Sequence, residues 1–424
     1  MRKEDSIGKS ATWVAVAIFF ALVVDGMDLQ MLSLALPSIM KELNLSAVLG
    51  GSLATWTFFG MGVGGIFSGW MADRIGRVKV AFASIIVFSM GTCLIAFAHT
   101  YVQLATTRFV SGFGINSLYG VGTLLVSEYI ETKRRATILG FIQTGMSIGY
   151  ILAAIISSSI MPNFGWRPLF FMAIAPGFVS LLLLRGIKDP PSWFANREAI
   201  RKSGKRKNEF KVIFADKSIR FTFIAWAFTS IVLQFGFYGA NTWLPSYLVT
   251  DLGINLKNMG WYMAATYTAM VLGKIVTGYL ADIFGRRLVW CAVGLAISIA
   301  LPVITWVGTP ATIPYLLLIF GLLAGSHFGL LPTYTTESFP TKIRGTAVNT
   351  SYNIGRVGST ISPLMIGYAA SRYSIGFGIA LLGIAYVLVG IIPGIFIRQK
   401  MYDPKAIVVE KPAADLIMAK DQAG

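Results

Sequence analysis

"GWMADRIGR" at residues 69–77 returns as "GYLADIFGR" at 278–286, with Gly69, Ala72, Asp73, Gly76 and Arg77 each matched 209 positions later. A second pair lies outward from it. "SEYIETKRRA" at 127–136 answers to "TESFPTKIRG" at 336–345, and Glu128 to Glu337, Lys133 to Lys342 and Arg135 to Arg344 keep the same displacement of 209. Two unrelated strings at one offset are not expected by chance in a mostly apolar chain, so the sequence is written twice.

The material between these strings is apolar enough for a bilayer. Of 424 residues 55% are hydrophobic and 13% charged, with a mean hydropathy of +0.67. A soluble chain of this length needs more polar surface. Apolar blocks of the roughly 20 residues needed to cross the hydrocarbon occur at 13–36, 50–70, 80–98, 103–125, 137–160, 167–185, 221–244, 258–280, 288–307, 312–332, 346–370 and 374–397. They lack the short alternating pattern of barrel strands. The fold expected is an all-α integral membrane protein of twelve transmembrane helices, built as two six-helix bundles. Residues 1–185 form the first, 186–220 a basic linker, 221–398 the second and 399–424 a tail.

The net charge of +17 points to nucleic acid only if the basic residues cluster on a binding face. With the amino terminus inside, 29 of the 36 Lys and Arg fall on that side, 4 outside and 3 within spans. This is the positive-inside bias. It puts both termini of a multi-pass protein in the cytoplasm, at the cytoplasmic (inner) membrane, with the lipid bilayer and no nucleic acid as partner and the monomer as the working unit. "RKSGKRKNEFK" at 201–211 reads as a solvated, membrane-facing stretch of the linker. Cys93 and Cys291 fall inside spans, and with two His in the chain no disulfide framework, metal site, phosphate loop or nucleophile triad is legible. An enzyme and a bound metal or cofactor are therefore not expected. The first apolar run has no small-residue cleavage site behind it and reads as a retained helix.

Charge inside a span is costly and marks function by default. "VVDGMDLQML" at 23–32 holds Asp25 and Asp28, three apart and hence on one helix face. Two acids held there cannot both be ionised cheaply, which suits a proton carrier. Counted at the helical rise, Asp28 stands about 22 Å above the cytoplasmic end and Arg108, on the antiparallel fourth span, at about the same height. The two are expected to pair. Arg356, in "YNIGRVGSTISPLMIG", lies about 15 Å from that face, and its planar fork suits a substrate carboxylate. Gly355, Gly358 and Pro363 let the helix bend there. Lys274 is about 9 Å from the cytoplasmic end, where snorkelling competes with a substrate role. In "QFGFYGANTWLP" at 234–245, Pro245 answers Pro37 at a distance of 208 while both acids are lost. Gln234, Tyr238 and Asn241 are candidates for holding the far end of a substrate, with helix packing as the alternative. His327 is a candidate relay or a histidine satisfied by a neighbour.

The repeated strings fall at the cytoplasmic ends of the spans. Asp73, Arg74, Gly76, Arg77, Glu128 and Arg135 in one half, and Asp282, Gly285, Arg286, Glu337 and Arg344 in the other, are expected to pair across the halves when that side shuts and to part when it opens. Small residues in "GMGVGGIFSG" of the second span allow close helix approach.

"GWMADRIGRVK" resembles the signature between helices 2 and 3 of the major facilitator superfamily, with its last basic residue two places late at Lys79. "RFVSGFG" at 108–114 is similar to the helix 4 signature of the same superfamily. The resemblance spans the chain and implies two bundles around a cavity opening alternately to each side. The fifth span lacks the Gly-Pro pair of the drug and proton antiporters. "DPPSWF" at 189–194 resembles the sugar porters' P-E-S-P-R element but has neither its Glu nor its Arg. "DGMDLQMLSLALPSI" resembles the D-G-x-D element of aromatic acid:proton symporters, whose substrates include benzoate-type acids and cis,cis-muconate. That group similarly carries a Gly-Arg element near Arg356. The resemblance implies a proton-coupled symporter importing a small organic anion, with the proton as coupling ion. A porter for a sugar or sugar acid such as sialic acid, a proton-driven exporter and a transporter-like sensor remain alternatives.

Overall fold

A computed structural model describes residues 2–397 apart from 130–131, 173, 186, 188, 191–192, 195–197, 199–212 and 341–342; the side chains of 2–11, 73, 118–120, 123–124, 127–128, 132–140 and 176 are likewise outside the described set. Helices α1 (Arg2–Glu42), α2 (Ala47–Ile75), α3 (Arg77–Ile95), α4 (Tyr101–Tyr129), α5 (Thr132–Phe164) and α6 (Arg167–Met172 with Ile174–Leu184) precede the linker. Helices α7 (Lys217–Ser246, running into a π turn at Tyr247–Asp251), α8 (Leu256–Phe284), α9 (Arg286–Val307), α10 (Ile313–Glu337), α11 (Arg344–Ile354 with Arg356–Arg372) and α12 (Ile375–Phe396) follow it. These helices match the twelve expected spans. Most overrun them by a turn or more, because a helix continues past the hydrocarbon until a cap or turn stops it.

Polar residues set the ends. Asp216 accepts the Ser218 and Ile219 N–H groups at 2.8 and 3.0 Å and so starts α7, and Asn255 accepts that of Asn258 at 2.8 Å to start α8. Gly76 (φ 110°) and Gly285 (φ 89°) separate α2 from α3 and α8 from α9. They are the repeat's equivalent glycines, and a side chain would strain either turn.

Among the described residues nine helices are long and apolar enough to cross a membrane unaided. Helices α4, α8 and α11 carry Arg108, Lys274 and Arg356 within the expected spans. Their polar residues are sheltered by neighbours rather than offered to lipid.

Within the first six helices α2 packs along α4 and α1 along α5; within the last six α8 packs along α10 and α9 along α12. Close approach is built in at Gly64, where a Cβ would lie 2.1 Å from the Phe113 carbonyl oxygen. The two sets meet along α2–α11 and α5–α8, with α1 against α7. The first two seams are repeat images of each other. Their closest contacts lie toward the face opposite the termini: Thr55 Oγ1 donates to the Thr360 carbonyl at 2.7 Å, and a Cβ on Gly51 would sit 2.2 Å from that of Pro363. These contacts close the α2–α11 seam on that side.

Candidate functional site

Helix α1 brings Asp25 and Asp28 to the interior, 1% and 0% exposed. Asp28 is fully bonded: its Oδ2 accepts from Arg108 Nη1 at 3.1 Å and its Oδ1 from Thr92 Oγ1 at 2.8 Å. Arg108 is equally enclosed, and its Cζ lies 4.8 Å from the Phe170 ring centroid. Removing two ions from water costs several kcal/mol each, offset only by pairing with good geometry. Asp25 has no such geometry, since among the described residues neither carboxylate oxygen has a hydrogen-bond partner. It lies within electrostatic range of Asp28 and of Arg356.

Arg356 opens the second segment of α11. The break precedes it: the Gly355 N–H bonds to the Tyr352 carbonyl at 3.1 Å, a tightened turn, and Gln234 Nε2 donates to the same carbonyl at 2.7 Å. A side-chain donor from α7 thus joins the turn bond at the interrupted ladder. Arg356 Nη2 donates to Asn116 Oδ1 at 3.2 Å, and its Cζ lies 5.9 Å from the ring centroids of both Tyr238 and Tyr352. Arg356 belongs to one half and Asn116 to the other, so the bond crosses the interface.

Beside Arg108 lies a small cavity lined by Leu29, Gln30, Leu32, Ser33, Ala54, Thr57, Phe58, Arg108, Tyr150, Tyr238, Asn241 and Thr242. Both halves contribute to it. Gln30 Nε2 bonds the Tyr267 hydroxyl and reaches the Asn241 carbonyl at 3.4 Å. The Tyr150 and Tyr267 rings meet edge to face at 5.4 Å and those of Phe58 and Tyr238 at 4.7 Å. A chamber lined by aromatic and apolar side chains with a few polar groups and one guanidinium, that of Arg108, suits a small organic anion.

The chain matches the model of the Major Facilitator Superfamily over residues 18–363 and 248–415. It belongs to that superfamily. It is 45% identical over 400 residues to the cis,cis-muconate transport protein of Acinetobacter baylyi, covering 93% of this chain and 97% of that one. It is 26% identical to the benzoate transport protein of the same organism, over 91% of this chain and 89% of that one. Among solved structures, a D-xylose-proton symporter superposes with a TM-score of 0.75 at 18% identity, covering 92% of this chain and 98% of its own. An inward-facing bacterial homolog of the lysosomal transporter Spinster gives a TM-score of 0.76 at 17% identity, over 93% and 99%. At these identities the structures share the fold alone. The protein is a multi-pass membrane transporter and not an enzyme.

The structure distributes the other candidate residues of this facilitator unevenly. Tyr238 and Asn241 line the cavity, whereas Gln234 is turned to the α11 break. Lys274, half-buried, does not snorkel to the membrane surface: its Nζ donates to Ser147 Oγ across the α5–α8 seam at 2.9 Å. His327 lies apart from the cluster, against Trp290 of α9 at 4.5 Å between ring centroids, with Nε2 3.3 Å from the Trp290 carbonyl oxygen. The neighbour engages Nε2 alone, and Nδ1 is buried with no hydrogen-bond partner among the described residues.

At the termini-bearing face, Arg286 pairs with Glu337 and lies 3.7 Å from Asp282, while Arg344 Nε donates to the Phe339 carbonyl at 3.1 Å. These contacts brace one half internally and do not cross to the other, unlike the pairing expected from the sequence. Closure of the α2–α11 seam at the opposite face is the arrangement in which cross-pairs would be parted. Arg74 lies over the Trp70 ring at 4.0 Å and Arg77 is buried; the side chains of Asp73, Glu128 and Arg135 fall outside the described residues. The "DPPSWF" stretch supports this region. Asp189 Oδ1 accepts the Val78 N–H at 2.8 Å, and Trp193 Nε1 donates to the Ala72 carbonyl at 3.1 Å.

Sequence reasoning missed Gln30, Thr92, Asn116, Tyr150 and Tyr267. Gln30 stands two residues past Asp28 and Asn116 two helical turns past Arg108, so each carried a signal of position. The two tyrosines carried none, because their meeting depends on how the halves dock.

Proposed function

We propose that this transporter is a proton-coupled symporter bringing a small organic carboxylate into the cell, an aromatic acid or a ring-cleavage dicarboxylate such as cis,cis-muconate. It works as a monomer in the cytoplasmic membrane with both termini in the cytoplasm. The observation that carries the reading is Asp25, buried with no hydrogen-bond partner among the described residues and within electrostatic range of Arg356 and of Asp28, itself paired with Arg108. The 45% identity to a cis,cis-muconate transport protein supports the substrate class.

In this scheme Asp25 takes a proton from outside, and Arg108 holds Asp28 ionised until proton and substrate arrive. Arg356 takes the substrate carboxylate. With proton and anion both aboard, the interior charge balance changes, and the seams at the outer face close as the inner face opens. The repeated strings brace each half so that it moves as a body. Each net positive charge moved inward gains about 2.3 kcal/mol per 100 mV of inside-negative potential, so the protons carried must outnumber the substrate's negative charges for the potential itself to drive uptake.

Proteoliposomes with an imposed inward proton gradient test this against labelled benzoate, cis,cis-muconate, sialic acid and xylose, with and without a protonophore. Accumulation of a carboxylate that the protonophore abolishes is expected. Accumulation of a sugar alone, or of a carboxylate regardless of protonophore, overturns it.

A further inference from the structure

We propose that Arg108 is the second of two carboxylate anchors, taking one end of a dicarboxylate on its Nε–Nη2 edge while Arg356 takes the other. The inference rests on the carboxylate reading above and narrows it to dicarboxylates. A guanidinium carries five N–H donors in a fixed fork. Asp28 engages Nη1 alone, at 3.1 Å, while Nε and Nη2 are enclosed without a hydrogen-bond partner among the described residues. Buried donors left unsatisfied are destabilising, and a pair built only to order helices would present that fork to the acid. Asp28 cannot take it up as placed, because Thr92 holds its other oxygen at 2.8 Å.

The unused edge is the one that meets a carboxylate through two parallel bonds, and Arg108 lines the cavity beside Thr57 and Tyr238. Arg356 bonds to Asn116, which stands eight residues, a backbone rise of about 12 Å, from Arg108 on α4. A diacid of muconate's length, bonded to a guanidinium at each end, covers that interval. A monoacid of the same length engages one end only. The Tyr238 ring, 5.9 Å from Arg356 Cζ and packed on Phe58 at 4.7 Å, offers an aromatic wall between the anchors for a flat conjugated chain.

Dissociation constants of the purified full-length transporter, measured by calorimetry for cis,cis-muconate against sorbate and for adipate against hexanoate, test the assignment. Each pair compares a diacid with a monoacid of the same carbon count. The wild type is expected to favour the diacid in both pairs by about 10-fold or more, the factor that about 1.4 kcal/mol gives. Arg108→Lys, which retains the charge opposite Asp28 but has no planar fork, is expected to bring both ratios toward one. Equal affinities for diacid and monoacid in the wild type overturn the assignment, and need no variant to fold. A diacid preference untouched by Arg108→Lys also overturns it. If none of the four acids binds the wild type, the carboxylate reading itself fails.

Discussion

Arg108 Nη1 lies 3.1 Å from Asp28 Oδ2, and neither side chain reaches solvent. An enclosed pair of this kind is asymmetric in its energetics: removing one member strands the other, at about 3–5 kcal/mol, whereas neutralising both costs far less. Asp28→Ala and Arg108→Ala are each expected to lower thermal stability in detergent strongly. The double variant Asp28→Asn with Arg108→Gln should recover much of the loss without recovering accumulation. A thermal-unfolding series on the four proteins checks this, and additive losses would show that the pair is not coupled.

Gln234 reaches the Tyr352 carbonyl at 2.7 Å where α11 breaks before Arg356. A hydrogen bond of this kind contributes about 1 kcal/mol. Gln234→Glu keeps the volume but loses the donor, so the half-saturating substrate concentration should rise by about 5-fold with little change in the folded amount. Initial-rate uptake at graded substrate concentrations reads this directly.

Arg356 is assigned to the substrate carboxylate, and Asn116 steers it across the interface at 3.2 Å. Arg356→Ala should raise the half-saturating concentration by at least about 10-fold or stop transport, as loss of a charge-assisted fork implies. Asn116→Ala should produce a smaller rise in the same constant. Unchanged kinetics in Arg356→Ala would refute the assignment.

Gly76 has φ 110° and stands where a Cβ would be 2.2 Å from Asp189 Oδ2. Gly76→Ala should therefore cost stability through both the backbone and the cap that Asp189 provides. Asp189→Ala alone should cost about 0.5–2 kcal/mol. Thermal unfolding of the two variants in detergent orders these effects, with Gly76→Ala expected to be the larger.

Much of the molecule is legible before any coordinates, because its strongest signals are local. The repeat around Gly76 and Gly285 marks equivalent tight turns, and a fixed rise per residue places Asp28 level with Arg108. Gly355 and Pro363 announce a bend, and the break falls at Gly355. What is not legible depends on packing between distant segments. Which way His327 and Gln234 face is set by Trp290 and Tyr352, and nothing in their own neighbourhoods encodes it. Arg286 finds Glu337 within its own half because α8, α9 and α10 converge there. The lack of a hydrogen-bond partner for Asp25 among the described residues emerges only when the surrounding helices are in place.

That carboxyl is the one to which the coupling role is proposed to fall, and Asp25→Asn in proteoliposomes is the measurement that bears on it most directly. Gradient-driven accumulation of substrate should be lost, while exchange of labelled for unlabelled substrate across the membrane, which needs no net proton movement, should persist. Accumulation by Asp25→Asn to the wild-type level, still abolished by a protonophore, would contradict the assignment of the coupling proton to Asp25.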